Sequence, residues 1–232
     1  MNVYEIKVKI YLLEDISLQD SLEKIAAFID LSFLRTKEMN EFHLQNKFKN
    51  YSFSSFFPYA ENSIYKKDNL YTIIIRTVDN NLAKHFKCLS EISTDFIKGL
   101  VTNESLIYKR ALEEISSLTP VIIRIPYKDG YWKNNGTIQD FVEGINKNII
   151  RKYNEFTNNE IDSNEIIFES VTFTNRTPIS TSYKGRKLLA DKVKLSIAGS
   201  SIAQDISFFA LGTGLLLANA RGYGFCNYKF YK

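Results

Sequence analysis

Residues 212–225 of the chain have the sequence GTGLLLANARGYGF, in which four glycines enclose an apolar run. Glycine adopts positive φ angles without steric cost and lets another part of the chain, or a ligand, come close to the backbone. Backbone N–H groups exposed in such a loop can bind phosphate. Two interpretations are therefore open for this glycine-rich loop: a helix end with a close packing contact, or a phosphate-binding loop.

The position of the glycine-rich loop excludes two familiar nucleotide-binding motifs. A P-loop requires a Lys-Ser or Lys-Thr pair after its last glycine, and neither pair follows here. The corresponding loop of a Rossmann fold follows the first strand of its domain, whereas this loop precedes the last predicted strand. The elements around the loop must therefore decide the fold.

The second half of the chain predicts alternating strands and helices. Apolar residues recur at helical spacing from Ile138 to Tyr153, and a second helix is predicted from Ser200 or Ser201 to Leu211. Stretches rich in β-branched and aromatic residues predict strands at 121–127, 166–174, 188–197 and 223–230.

The first half has the same order of elements. Helical spacing predicts a helix over 18–33 and a shorter one over 81–89, which Asp79 can cap. Extended segments are predicted at 3–12, 51–57, 71–77 and 104–115.

Each half thus reads βαββαβ, the order typical of a ferredoxin-like domain. The sequence predicts an α+β protein with two tandem ferredoxin-like domains, residues 1–117 and 118–232. The boundary is placed where the Ser-Ser-Leu-Thr-Pro stretch at 116–120 interrupts the pattern.

Composition limits the class of protein. Apolar residues make up 44% of the 232 residues, which is enough for a packed core, and the net charge of +4 is compatible with binding nucleic acid. Cys88 and Cys226 are too few for a disulfide framework and favour a reduced, cytoplasmic protein. The most apolar run, 206–220, is shorter than the roughly 20 residues of a membrane helix. We therefore expect no membrane association.

His43 is the main candidate for acid–base chemistry, with Lys49 six residues later. The chain has two histidines, and His43 lies in a polar stretch predicted to link a helix and a strand. Histidine is the commonest proton shuttle near neutral pH. An ordinary surface loop is the competing interpretation. No Cys or His cluster has the spacing of a metal site, so we predict no metal and no cofactor.

Basic residues that can contact phosphate cluster in three further places. The predicted hairpin turn contains Lys184, Arg186 and Lys187, and a loop with aromatic residues contains Lys133. The side of the second-half helix that is predicted to be exposed contains Lys147, Arg151 and Lys152. For each group, a solvated charged surface is the simpler alternative.

Taken together, these motifs resemble those of a known family. The loop matches the pattern Gly-x-Gly … Gly-aromatic-Gly-Phe, and the His43 to Lys49 stretch leads into an aromatic-Ser-aromatic-Ser run at 51–54. In these features, and in the strand 71–78, the chain resembles the CRISPR repeat-processing endoribonucleases of the repeat-associated mysterious protein superfamily, over essentially its whole length. Two departures are the seven residues between Gly214 and Gly222, where five are common, and Phe28, where some members have a catalytic tyrosine.

The resemblance implies an endoribonuclease that cleaves CRISPR precursor RNA within its repeats. The RNA 2′-hydroxyl would attack the adjacent phosphate without a metal ion, leaving a 2′,3′-cyclic phosphate and a 5′-hydroxyl. His43 is implied as the general acid or base, and Lys49 as the residue that stabilises the phosphate charge. The implied RNA-binding residues are Lys47, Lys133, Lys184, Arg186, Lys187, Gly212, Gly214, Arg221, Gly222 and Gly224.

The implied partner is repeat RNA, with subunits of an effector complex and a second copy of the chain left open as protein partners. Two other functions stay open at this point. One is a non-cleaving RNA-binding subunit of a CRISPR effector complex. The other is a small-ligand-binding protein with ferredoxin-like domains, which should not bind RNA in a salt-sensitive way.

Overall fold

The first half of the chain forms an antiparallel four-stranded sheet with two helices on one face. The computed structural model describes residues 1–126, 130–183 and 185–231. The main elements of this unit are β1 (Val3–Leu12), α1 (Ser21–Phe33), α2 (Lys37–Leu44), β3 (Tyr51–Phe53), β5 (Leu70–Thr77), α3 (Asn80–Phe86) and β6 (Ile97–Ile107). A two-residue strand pair, β2 (Ile16–Ser17) with β4 (Ile64–Tyr65), lies outside the sheet.

The strand order in the first sheet is β3-β5-β1-β6. Alternate residues of β1, including Ile6, Val8 and Ile10, are fully buried, and they belong to the same apolar cluster as Ile25 and Ile29 of α1. Numbered by their place in βαββαβ, the strands run 2-3-1-4, which is the ferredoxin-like order. The predicted fold of the first half is confirmed.

The second half repeats this arrangement. Its elements are β7 (Leu112–Ser117), α4 (Ile138–Thr157), β8 (Phe168–Phe173), a hairpin of β9 (Ile179–Tyr183) and β10 (Arg186–Ala190), β11 (Val193–Ile197), α5 (Ser201–Thr213) and β12 (Cys226–Phe230). The sheet order is β12-β7-β11-β8, again the ferredoxin-like order once the inserted hairpin is set aside. Ser200 caps α5 by accepting a hydrogen bond from the Ala203 N–H.

The position of β7 corrects the predicted division after residue 117. The sequence assigns 112–117 to the first domain, but this strand pairs with β11 and β12 at the centre of the second sheet. The chain therefore leaves the first sheet after Ile107 and enters the second at Leu112. The strand predicted at 121–127 is also wrong, because Val121 and Ile122 make only isolated bridges and Tyr127 lies outside the described residues. Burial of Val121 against the second core explains the apolar signal without a strand ladder.

Two further elements differ from the prediction for identifiable reasons. The predicted strand 188–197 is two strands in different sheets, separated at the fully buried Asp191. Its carboxylate accepts hydrogen bonds from Tyr131, Trp132, Lys133 and Asn175, so the chain turns there to bury a satisfied charge. The polar linker predicted around His43 contains a helix, α2, which Thr36 caps through the Met39 N–H.

The two halves share their cores rather than merely touching. Val3, the first residue of β1, and Val78, which directly follows β5, pack in the second core. Conversely, Tyr223 of the glycine-rich loop is 1% exposed and packs in the first core. Among the described residues, no helix is long and apolar enough to cross a membrane.

A buried arginine ties the two sheets together. Arg76 of β5 donates from Nε to the Glu5 carboxylate at 2.8 Å and from Nη1 to the carbonyl of Cys226 in β12 at 2.6 Å. Its guanidinium also lies over the ring of Phe225, 4.7 Å from the centroid. The side chain thus joins a carboxylate, a backbone carbonyl and the aromatic faces of Phe225 and Tyr228 across the junction of the two sheets.

We predict that Arg76→Met lowers the free energy of unfolding by about 3 kcal/mol, because it removes the arginine donor from a partly buried carboxylate and from a buried carbonyl. Urea denaturation measures the change. Arg186→Met, at an exposed position of β10, is the control and should shift stability by less than about 0.5 kcal/mol. An Arg76 variant as stable as the wild type would contradict the role given to this residue.

Candidate functional site

A cleft of about 1070 Å³ lies between the two halves of the molecule. The first half contributes the end of α2, the loop 45–50 and the start of β3. The second half contributes residues 122–124, part of the 130–134 segment, β10 and residues 216–221 within the glycine-rich loop. The folding of the chain therefore brings the His43 segment and the glycine-rich loop together, although about 170 residues separate them in sequence.

The cleft carries a marked excess of positive charge. Its described lining contains one acidic residue, Asp30, and six lysines and arginines: Lys47, Lys49, Arg124, Lys152, Lys187 and Arg221. A concave surface with one sign of charge concentrates ligands of the opposite sign. The cleft is therefore suited to a polyanion.

His43 lies in the last turn of α2 and its ring is held from two sides. The ring stacks on Phe33 with centroids 5.3 Å apart, and Nδ1 is 3.7 Å from Oδ1 of Asp30 in α1. The imidazole is about one-third exposed and lines the cleft. Because Asp30 faces Nδ1, the other ring nitrogen, Nε2, is the one better placed for exchange of a proton with a ligand.

His85, the second histidine, has a structural position. It also stacks on Phe33, at 5.0 Å, and its Nε2 lies 3.0 Å from the Ser32 hydroxyl. Burial lowers its pKa, so the neutral form is favoured. His85 does not line the cleft.

Lys49 lines the cleft, but its ammonium is already engaged. Nζ donates to the carbonyl oxygens of Phe42 at 2.6 Å, His43 at 2.9 Å and Gln45 at 2.6 Å. These carbonyls lie at the end of α2, where helix carbonyls lack intrahelical donors. Burial, and then the neighbouring Lys47, lowers the pKa of Lys49. The three acceptors use all three N–H groups, so the contacts made by Lys49 differ from those expected of a phosphate-stabilising cation.

The four glycines of the glycine-rich loop occupy packing positions, and none is part of the described cleft lining. Gly222 has φ of 89°, and a Cβ there would lie 2.6 Å from Cε2 of Phe53. Gly224 has φ of 72°, and a Cβ there would lie 2.1 Å from the Leu215 carbonyl oxygen. Gly212 and Gly214, at the end of α5, are similarly enclosed. The intervening residues 216–221, rather than the glycines, face the cleft.

Asn219 organises this loop through its side-chain amide. Its Nδ2 donates to the carbonyls of Leu215 and Tyr223, each at 2.9 Å, and its Oδ1 accepts from Nζ of Lys152 at 2.6 Å. One side chain therefore closes the seven-residue insert into a compact turn. The amide and the lysine together connect the loop to α4.

Lys152 corrects another prediction, because the sequence placed it on the exposed side of a helix. Its side chain is 2% exposed, and Nζ donates to the Gly214 carbonyl at 2.9 Å as well as to Asn219. Burial lowers the pKa of Lys152 to about 7. The signal was present in the sequence, since Lys152 lies seven residues after the buried Ile145 and thus on the same face of α4.

The other predicted basic residues divide into three groups. Lys47, Lys187 and Arg221 line the cleft, so the fold brings these three predicted residues together. Arg186 is exposed outside the lining, and Lys133 forms an ion pair with Asp191 at 3.1 Å. Lys184 lies outside the described residues.

Sequence reasoning missed four residues of the cleft: Asp30, Phe48, Arg124 and Asn219. Arg124 is a single cation within an apolar, β-branched run. This pattern indicates an exposed side chain, so the sequence could have predicted Arg124 as a candidate residue of the cleft. Asp30, Phe48 and Asn219 acquire their roles only from tertiary contacts. Among the described residues, no three His, Cys, Asp or Glu side chains are grouped as a metal site.

Comparison with known proteins supports the resemblance drawn from the sequence. No protein-family model matches the chain. The CRISPR-associated endoribonuclease Cas6 2 of Methanocaldococcus jannaschii is 24% identical over 219 residues, covering 84% of this chain and 87% of that protein.

Solved structures give the same picture at the level of the fold. A CRISPR-associated protein Cas6 superposes with a TM-score of 0.72 at 15% identity, covering 98% of this chain and 99% of that one. A RAMP protein described as binding different RNA substrates gives 0.70 at 14% identity, covering 97% and 99%. The tandem ferredoxin-like fold is thereby confirmed, and the sequence similarity to a CRISPR-associated endoribonuclease agrees with the resemblance drawn from the motifs.

The buried ammonium of Lys152 leads to a prediction about stability and pH. Its pKa is lower in the folded chain than in the unfolded chain, so the unfolded chain binds the additional proton between these two values. The free energy of unfolding should therefore rise between about pH 7 and pH 10, by up to about 1.4 kcal/mol per pH unit from this group. Chemical denaturation of the wild type and of Lys152→Met across this range isolates the contribution. An identical pH dependence in the two proteins would show that Lys152 does not make it.

Proposed function

We propose that this chain is an endoribonuclease that cleaves CRISPR precursor RNA within its repeats. The observation that carries the proposal is the cleft, whose described lining holds His43, six lysines and arginines, and one carboxylate, that of Asp30. RNA supplies both the negative charge that such a cleft attracts and the 2′-hydroxyl nucleophile that the reaction requires. The similarity to a CRISPR-associated endoribonuclease supports the choice of substrate.

The proposed reaction uses the RNA as its own nucleophile. His43 removes the proton of the 2′-hydroxyl, or donates one to the departing 5′-oxygen, and no metal ion takes part. The 2′-oxygen bonds to phosphorus as the bond to the 5′-oxygen breaks. The products are a 2′,3′-cyclic phosphate on one fragment and a 5′-hydroxyl on the other.

His43 would act in an orientation set by its neighbours. The Phe33 stack fixes the plane of the ring, and Asp30 favours the tautomer that keeps a proton on Nδ1. Lys49, with its three carbonyl acceptors, holds the segment that carries His43, so we assign it a positioning role in place of direct contact with phosphate.

The remaining cations would bind the RNA backbone. Lys47, Arg124, Lys187 and Arg221 come from four different segments around the cleft. Because they surround it, they can contact successive phosphates of a strand that passes between the two halves. Each phosphate that they neutralise makes the affinity fall more steeply with salt.

One observation favours a second candidate, a non-cleaving RNA-binding subunit. Phe28, at the position where some relatives have a catalytic tyrosine, is fully buried in the first core and has no hydroxyl. Such a subunit would bind repeat RNA through the same cleft without chemistry at His43. A cleavage assay therefore separates the two candidates.

We predict that the wild type cleaves an end-labelled repeat RNA in the presence of EDTA and that His43→Ala slows cleavage by about 10²- to 10⁴-fold, the usual contribution of a general acid or base. Lys37→Ala, at an exposed position at the start of the same helix, is the matched control. Full activity of His43→Ala would remove His43 from the mechanism. Inhibition of the wild type by EDTA would rule out the metal-independent reaction.

We expect Asp30→Asn to lower kcat by about 10- to 100-fold while KM changes little, because the loss affects the orientation of His43 and not the affinity for RNA. Single-turnover rates and RNA affinity give the two quantities separately. Asp20→Asn, at the N-cap of the same helix, is the control. A parallel loss of affinity and rate in Asp30→Asn would point to RNA binding in place of positioning.

A further inference from the structure

Lys152 combines burial, charge and access to the cleft in a way that no other described lysine does. Its side chain is 2% exposed, yet it belongs to the lining of the cleft. Nζ makes two hydrogen bonds, to the Gly214 carbonyl and to Oδ1 of Asn219. An ammonium has three N–H groups, so the contacts of the described residues leave one donor.

The described residues around Lys152 supply it with no carboxylate partner. No described carboxylate forms an ion pair with it, and the nearest aromatic face, Phe48, is 5.7 Å from Nζ. The neighbouring Arg151, 5.0 Å from the same ring, adds positive charge. Burying an ammonium without a negative partner is unfavourable, so an anion that enters the cleft beside Nζ would stabilise the charged form of Lys152.

Lys49 provides the contrast within the same cleft. All three of its N–H groups are bound by carbonyl oxygens at the end of α2. Using Lys49 as a phosphate ligand would require breaking at least one of these bonds. Lys152 can donate a hydrogen bond to a phosphate oxygen while it keeps both of its present partners.

We propose that Lys152 is the cation that binds the phosphate at which the RNA is cleaved, and that its third N–H donates to an oxygen of that phosphate. This inference rests on the proposed function and replaces Lys49 as the residue that stabilises the charge developing on that phosphate. The same ammonium holds the glycine-rich loop through Asn219, so it couples the position of the loop to the position of the phosphate.

The electrostatic surroundings predict how RNA binding depends on pH. Burial, together with Arg151, lowers the pKa of Lys152 to about 7 in the free protein, and Cys226 is a neutral thiol because burial raises its pKa to about 12. The other charged or titratable residues in the described lining of the cleft are Asp30, His43, Lys47, Lys49, Tyr51, Arg124, Tyr131, Lys187 and Arg221. A bound phosphate favours the ammonium, so RNA binding should take up a proton above pH 7, and affinity should fall as the pH rises.

Lys152→Gln tests the proposal, because the amide NH₂ supplies two donors for the same two acceptors but removes the charge and the third N–H. We expect single-turnover cleavage to fall by about 10²-fold or more, as when one preorganised donor to a reacting oxygen is removed. With a repeat RNA carrying a 2′-deoxy nucleotide at the mapped cleavage position, the slope of log affinity against log salt should decrease by about 0.7, the value for one phosphate contact. Lys229→Gln, at an exposed position of β12 outside the described lining of the cleft, should change neither quantity.

Wild-type rate and salt slope in a folded Lys152→Gln protein would overturn the proposal. If Lys152→Gln is too unstable to assay, a measurement on a protein that keeps Lys152 tests the proposal instead. In His43→Ala, isothermal titration calorimetry at pH 8 in two buffers of different ionisation enthalpy reports protons taken up on RNA binding. We expect uptake approaching one proton, and an absence of uptake would overturn the role of Lys152.

The failure of the proposed function gives a different result. A wild type that binds repeat RNA without cleaving it would overturn the nuclease, while the salt slope of Lys152→Gln would still decide the phosphate contact. A wild type that does not bind repeat RNA would overturn both. Unchanged cleavage in Lys152→Gln beside a slow His43→Ala would overturn the inference alone.

Discussion

The fold depends on a packing constraint at the glycine-rich loop, where the chain moves from the second core to the first and back. Leu215 and Leu216 are buried in the second core, Tyr223 in the first, and Cys226 in the second again. This route brings Gly222 against Phe53 and Gly224 against the Leu215 carbonyl, in positive-φ conformations that leave no space for a side chain. The two halves are thereby fixed relative to each other, and the cleft between them has defined walls.

The same constraint gives the cleft its chemistry. Because the loop turns tightly, Asn219 reaches two carbonyls of its own segment and presents its oxygen to Lys152. Opposite this turn, Lys49 binds the end of α2 and holds His43 beside Asp30 and Phe33. Two lysines with different hydrogen bonds therefore organise the two walls of the cleft. Lys49 donates all three of its N–H groups to carbonyls at the end of α2, whereas Lys152 keeps one N–H group for a ligand in the cleft.

Much of the fold could be predicted from the sequence, because alternation and helical spacing report burial directly. These signals identified both helices of each half and the order of elements around the glycine-rich loop, but they placed the first strand of the second half at 121–127 when it is Leu112–Ser117. Alternation and helical spacing gave wrong elements where a residue is buried for a reason other than its place in a strand or helix. Val121 is buried without a strand, and the satisfied carboxylate of Asp191 divides what reads as a single strand. Sequence motifs also placed His43 and Arg221 in the same predicted site. The sequence could not predict that Lys49 donates all its hydrogen bonds to carbonyls or that Lys152 is buried, because both depend on carbonyl and amide groups that only the tertiary structure positions.

The hydrogen bonds of Lys49 have a consequence for how the cleft meets a ligand. The segment from Phe42 to Lys49 is ordered by its own backbone before any ligand arrives, so its conformational entropy is lost during folding and not during association. A wall of this kind should accept a partner of matching shape with little rearrangement. A flexible single strand would then lose most of the conformational entropy on association, because the strand and not the wall must change shape to fit.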